Sequence, residues 1–371
     1  MIPVYEPWVG NEEAEAVKQA VLNGELSGLF GKSLPTFERE FARLIGCRHG
    51  IAVTSGTTAL HLAVAASHFP PGSEILLSAS TNIATALAIV HNNLIPVPVD
   101  SEPQSWNLNP DLVESLITPK TRAIMPVHLF GYPAQMDKIC ATAEKYKLVV
   151  IEDCAEAHGA TWRGKMVGSW GDMGCFSFLA NKILTTGEGG MILTNNDSLA
   201  EEMRLLRNMA FKQPRFVHDE AGYNFRMTGY QAAMGLVQLS RFAEVLRRKR
   251  QIADWYRENL EGVAGVTLFS ECREGRHVYW VYGVLVESGQ DRDSVMAWLR
   301  QAGVETRNFF HPMNLQPCFQ TIRECSSVRC PVAEDLWNRG FYLPSGPNLT
   351  EAQTKEIAGL LAKAVQMVAK A

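Results

Sequence analysis

A chain of 371 residues is long enough for two or three domains, or for one large domain with a smaller lobe, and its 46% hydrophobic and 20% charged residues exclude a disordered or fibrous protein. Its 35 Lys and Arg against 39 Asp and Glu leave a net charge of −4, which excludes a global basic field for nucleic acid or an anionic membrane; an anionic ligand needs a local site. No apolar run reaches the roughly 20 residues of a spanning helix, and Met1 to Trp8 lacks the basic start and apolar centre of a signal peptide, so a cytoplasmic protein is expected.

From Asn11 to Leu22 the apolar residues Ala14, Val17, Ala20 and Val21 recur at helical spacing, and Gly24 follows as a stop. A second amphipathic helix is expected over Leu34 to Leu44, with Phe37, Phe41 and Leu44 on one face and an end at Gly46. Short apolar runs then alternate with helical stretches. The runs are Ile51 to Val53, Glu74 to Leu77, Ile95 to Val99, Arg122 to Val127, Leu148 to Ile151, Cys175 to Phe178 and Met191 to Leu193. The helical stretches between them include Thr58 to Ala66, Ile83 to His91, Pro110 to Leu116 and Met136 to Tyr146. That order predicts an α/β fold, an α/β/α sandwich around a mainly parallel sheet buried on both faces.

Near Thr228 a long helical tract begins and runs to about Leu260. The basic run Arg247, Arg248, Lys249 and Arg250 inside it reads as a solvated helix face. Beyond Val266 a strand over Val278 to Val286 and helices over Ser294 to Ala302 and Glu351 to Val368 predict a smaller α+β lobe. The division expected is residues 1–245 and 246–371. Eight cysteines, at 47, 140, 154, 175, 272, 318, 325 and 330, form no Cys-x-x-Cys pair and read as reduced thiols. Cys325 and Cys330 come nearest to a zinc pair, but their spacing lacks a partnering pair and no metal is expected.

Three segments carry chemistry. Cys175 to Thr194, CFSFLANKILTTGEGGMILT, delivers Lys182 from a buried strand into a Gly-Glu-Gly-Gly turn. Burial would lower the amine's pKa and make it a nucleophile towards an aldehyde, although an exposed lysine after a strand fits the same pattern. Leu148 to Gly159, LVVIEDCAEAHG, runs a strand into Glu152, Asp153 and Glu156, and carboxylates at a strand's C-terminal end lie where α/β sheets bind ligands. Val53 to Leu60, VTSGTTAL, turns through Gly56 into a helix whose mouth suits a phosphate, or is simply a good N-cap.

Together with LSGLFGKSLPTFEREFA, PVHLFGYPAQMD, GYNFRMTGYQAA and YLPSGPNLT, these segments resemble the DegT/DnrJ/EryC1/StrS sugar aminotransferases, fold type I enzymes that use pyridoxal phosphate, over nearly the whole chain. The resemblance implies that Lys182 forms the Schiff base, Asp153 meets the pyridine nitrogen, Ala155 packs on a ring face, and Glu156, at a position commonly Gln, reaches the phenolic oxygen. It further implies that Gly56, Thr57 and Ser177 hold the phosphate and that Asn224 reaches it from a neighbouring subunit, making a homodimer. The implied reaction moves an amino group from L-glutamate, leaving 2-oxoglutarate, to a nucleotide-linked keto-sugar. The FSFLANKILTTGEGG run and FFHP look most like enzymes that aminate C4 of a GDP-linked 4-keto-6-deoxy sugar. A cyclitol acceptor, a sugar dehydratase and a noncatalytic relative are the rival readings, and Lys182 argues against the dehydratase, where a histidine replaces it.

Two departures stand out. Asn82 occupies a cofactor-side position where the family usually has a stacking aromatic, and the family's Pro-Leu-His appears as HPMN, with Met313 and Asn314. His311 and Arg307 are candidates to face the substrate. His158 is expected to be a hydrogen-bonded histidine behind the site, His128 to pack as a structural residue, and Glu188 to brace the turn after the lysine.

Overall fold

Residues 1–287 and 291–369 are described by a computed structural model. The apolar runs form seven strands: β1 (His49–Val53), β2 (Glu74–Ser78), β3 (Ile95–Val99), β4 (Thr121–Met125), β5 (Val149–Asp153), β6 (Met173–Ser177) and β7 (Gly190–Thr194). They lie in one sheet in the order β1-β7-β6-β5-β4-β2-β3. Every strand points the same way except β7, which is antiparallel to both neighbours. The runs lack alternation because each face is covered. Ile75 and Leu77 of β2 join one core while Leu76 joins another, and Ala123, Met125 and Ile124 of β4 divide the same way.

Helices α1 (Asn11–Leu22), α2 (Ser33–Ile45), α3 (Gly56–Ala65), α4 (Ile83–Val90), α5 (Met136–Tyr146), α6 (Asp197–Arg207) and α7 (Gly229–Ser240) belong with this sheet. The apolar stripe of α2 buries Phe37 and Phe41, and Phe41 meets Phe176 and Phe178 at ring distances of 5.0 and 5.1 Å. Strand β4 stops at Met125, earlier than its apolar run, because Pro126 has no N–H for the ladder.

The tract expected to be one helix from Thr228 to Leu260 is two, α7 and α8 (Phe242–Leu260). The break falls at Arg241, whose guanidinium pairs with the buried Glu13 of α1 while Gln238 donates to the same carboxyl group at 2.7 Å. Helix α8 then crosses residues 245 and 246 unbroken. Its Phe242 and Val245 lie in the core of the large sheet, and its Ile252, Ala253, Tyr256 and Leu260 in that of a second sheet. The basic run is not wholly solvated: Lys249 is 1% exposed, facing inward between the two cores.

The second sheet contains β8 (Val266–Leu268), β9 (Tyr282–Val286), β10 (Arg307–Asn308) and β11 (Gly340–Leu343) in the antiparallel order β8-β9-β11-β10, with α9 (Arg292–Gln301) and α10 (Glu351–Val368) beside it. Strand β9 starts four residues later than its apolar run suggests, because Tyr279 takes a left-handed backbone with φ of 51°. Val278 to Val281 instead pass behind the large sheet's ligand edge.

One buried carboxyl group organises that edge from below. Glu152 accepts the N–H groups of Gly168, Trp170 and Gly171 at 2.8 Å each and the Nε2–H of His128 at 3.1 Å. The tautomer of His128 follows from its other nitrogen, Nδ1, which accepts from the Ala134 amide at 3.1 Å. Glu152→Gln places an amide donor against one of these N–H groups. The expected loss of unfolding free energy in a urea titration is about 2–4 kcal/mol.

Candidate active site

Strands β1, β5 and β6 all end at the same edge of the sheet, the edge at which parallel α/β sheets take ligands. There a cavity of about 130 Å³ is lined by Gly56, Thr57, Asn82, Asp153, Ala155, Glu156, Ser177, Lys182 and Glu188 together with Ser55, Thr81 and apolar neighbours. Eight of the nine residues expected around the cofactor thus meet in one place. Asn224, the ninth, is exposed and does not line this cavity; its backbone bridges Asn208.

The side chain of Lys182 is 10% exposed and its Nζ lies 3.9 Å from Glu156 Oε1. Burial pushes the amine below its ordinary pKa, and the nearby Glu156 and Asp153 pull it back. Three contacts hold the turn that carries it. The hydroxyl of Tyr5 donates to the Lys182 carbonyl at 2.9 Å, the indole N–H of Trp280 donates to the Asn181 carbonyl at 2.6 Å, and the Trp280 ring centre lies 3.8 Å from Nζ. After the lysine the chain reverses through Gly187, at φ of 80°, where a side chain would be strained.

The carboxyl group of Asp153 is oriented by two donors, Thr85 Oγ1 at 2.8 Å and the Ala155 amide at 3.1 Å. Thr81 lies 2.7 Å from the Thr85 hydroxyl, whose proton is already given to Asp153, so the Thr81 hydroxyl donates into the relay. Burial raises the Asp153 pKa, and the bonds from Thr85 and Ala155 oppose that rise. Glu156 has one such donor, the Phe130 amide at 2.8 Å. Burial pushes its carboxyl group up to about 7, against the pull of Lys182.

At the mouth of α3, Ser55 caps the Thr58 amide at 3.1 Å and leaves the first helical N–H groups, those of Gly56 and Thr57, free to meet an anion. A Cβ at Gly56 would lie 2.6 Å from the Cβ of Ser177, so only glycine lets the helix mouth close on that hydroxyl. Asn82 caps α4, its side chain accepting from the Ala84 amide at 3.0 Å while it lines the cavity.

Several residues stand otherwise than their motifs suggest. His158 sits among Phe41, Phe176 and Phe178; burial pushes its pKa down to about 3, and the Ser177 backbone opposes that fall. His128 is the structural residue expected. The brace at Glu188 is its backbone carbonyl, which accepts from Thr186 and Gln231. Met313 and Asn314 are buried away from the cavity, where Asn314 donates to Glu334 at 3.0 Å. Arg307 pairs with Glu305 at 3.5 Å and His311 packs against Trp337 with ring centres 4.9 Å apart; neither lines the cavity.

Sequence reasoning missed Thr85, Tyr5 and Trp280. The run HVYWVYGV reads only as strand, and nothing in the spacing of Thr85 or Tyr5 marks them as neighbours of residues 68 and 177 positions further on.

Comparison with known proteins finds relatives over nearly the whole chain. The family model described as the DegT/DnrJ/EryC1/StrS aminotransferase family matches residues 7–362. A GDP-perosamine synthase of Caulobacter vibrioides is 41% identical over 364 residues, covering 97% of each chain, and one of Escherichia coli O157:H7 is 37% identical over 353 residues, covering 95% of each. Among solved structures, DesV of S. venezuelae in complex with a ketimine intermediate superposes with a TM-score of 0.89 at 32% identity, covering 96% of this chain and 94% of that one. The aminotransferase TlmJ of Streptoalloteichus hindustanus gives 0.94 at 28% identity, with full coverage of both. The donors here fit pyridoxal phosphate: a desolvated amine for its aldehyde, an oriented carboxyl group for its ring nitrogen, and a helix mouth cleared by Gly56 for its phosphate. The chain belongs to the DegT/DnrJ/EryC1/StrS aminotransferase family and is a pyridoxal-phosphate-dependent aminotransferase of fold type I.

Proposed function

We propose that the protein transfers an amino group from L-glutamate to a nucleotide-linked 4-keto-6-deoxy sugar, with GDP as the carrier. The observation that carries this reading is the 41% identity, over 97% of both chains, to a GDP-perosamine synthase, in a chain that keeps lysine at position 182. Pyridoxal phosphate, when bound, supplies the electron sink for the charge left when an α-proton is removed.

The residues divide the remaining work. Lys182 Nζ would hold the cofactor at its aldehyde and, as a base of lowered pKa, would carry the proton that the reaction moves. Asp153, fixed by Thr85, keeps the ring nitrogen protonated. Glu156 holds a proton towards the phenolic oxygen, Ala155 packs on the ring, and Asn82 lines the face where an aromatic would stack. The amides of Gly56 and Thr57 and the Ser177 hydroxyl bind the phosphate.

Asn224 completes the phosphate site of a second copy. In support, it lies outside its own cavity, and its segment adjoins apolar surface: the exposed Leu29 and the half-buried Phe211 line one groove, with Phe30 66% and Phe216 73% exposed nearby in sequence. No described helix is long and apolar enough to cross a membrane, and all eight cysteines are free, which supports work in the reducing cytoplasm.

Incubating the protein with pyridoxal phosphate, L-glutamate and a panel of GDP-, dTDP- and UDP-linked 3- and 4-keto sugars should give an amino-sugar by mass from the GDP-linked 4-keto sugar. Product from only the 3-keto or UDP-linked members overturns the substrate. Lys182→Ala is expected to fold, to lose borohydride trapping of the cofactor at position 182, and to lose turnover. Glu156→Gln tests the buried proton. Because the folded pKa of Glu156 is raised from 4.5 to about 7, the folded cofactor-free protein binds the extra proton in that window. Wild-type stability should therefore fall relative to Glu156→Gln as pH rises from about 4.5 to about 7, read by denaturant titration at each pH. For the shared site, mixing inactive Lys182→Ala and Asn224→Ala chains under exchange should restore about a quarter of wild-type activity, since half the dimers are mixed and each carries one intact site. No recovery would sink the shared site.

A further inference from the structure

Lys249 is buried without a counter-ion among the described residues. It is 1% exposed, and burial alone acts on its pKa, pushing it down to about 7. Its Nζ donates to the carbonyl oxygen of Trp280 at 2.9 Å and to that of Ser345, and lies 5.2 Å from the centre of the Tyr5 ring. Two acceptors suit the two N–H groups of a neutral amine, so the burial is satisfied without a carboxylate. The titratable groups around it are Tyr5 from the N-terminal segment, Tyr256 on its own helix, whose hydroxyl is given to the Pro344 carbonyl, and His277, whose pKa Lys249 helps to lower.

Two of the groups that touch Lys249 also hold Lys182. Trp280 uses its carbonyl on Lys249, its indole N–H on Asn181 and its ring face on Lys182 Nζ. Tyr5 sets its ring beside Lys249 and its hydroxyl on the Lys182 carbonyl. The path from one buried amine to the other therefore runs through two aromatic side chains, the buried Trp280 and the half-buried Tyr5. We propose that Lys249 is a positioning residue for Lys182, fixing Trp280 beneath the amine and Tyr5 beneath its backbone so that the amine stays dry inside the cavity. This rests on the reading of Lys182 as the residue that bonds the cofactor.

The test uses Lys249→Met, Tyr5→Phe and the double variant, with Tyr5→Phe removing only a hydroxyl should the first fail to fold. In the cofactor-free proteins, the pH dependence of acetic anhydride labelling at Lys182 is read by peptide mass spectrometry. If the amine gains water in either variant, its midpoint should rise by about one pH unit, and labelling near neutral pH should fall about tenfold. Titration with pyridoxal phosphate should show a visible band whose pH midpoint moves with it. The double variant should move no further than the larger single, because both act through one device. Variants that lose thermal stability but keep the wild-type midpoint and band overturn the proposal, as does a double variant whose shift is the sum of the two. Failure of the underlying reading looks different: borohydride would then trap no cofactor on Lys182 in the wild-type protein.

Discussion

The site depends on the removal of one amine from water beside two carboxyl groups. Desolvation and attraction act on Lys182 in opposite directions, and desolvation is the larger. The more attraction offsets desolvation, the smaller the share of neutral amine free to bond an aldehyde or accept a proton. The placement of Glu156 bears on that outcome. At 3.9 Å from the amine, with burial holding its own proton on to about pH 7, it exerts less than the full pull of a carboxylate.

Three acids in five residues meet three different fates because a strand alternates its faces. Glu152 turns inward and spends both oxygens on four N–H donors, which makes it part of the framework. Asp153, one residue on, reaches the cavity and is aimed by Thr85 and Ala155. Glu156 follows after the strand has ended, with a single amide to hold it. The number of donors each acid receives orders them from scaffold to proton holder.

Much of this was legible before any coordinates. The seven apolar runs became the seven strands, and α1, α5 and α10 match their predicted bounds residue for residue, since apolar spacing and chain stops are local signals. Eight of the nine residues expected around a cofactor gathered in one cavity because their motifs sit at strand ends that a parallel sheet brings to one edge. What stayed hidden depends on tertiary contact. A left-handed Tyr279 delays β9 and frees Trp280 to reach Lys182, and Lys249 looks like any lysine in a basic helix until two cores close around it.

The single reversed strand of the large sheet carries a consequence for how such a site can diversify. Gly190, at the start of β7, pairs with Val53 on one side and Ser177 on the other, so the residues leading to the helix mouth and to the lysine turn are hydrogen-bonded to the same backbone. The distance between the proposed anchor for an anion and the proposed anchor for an aldehyde is thereby clamped by a ladder rather than by side chains. Loops beyond the ladder can then change freely, and with them the acceptor, while the reach between the two anchors stays constant.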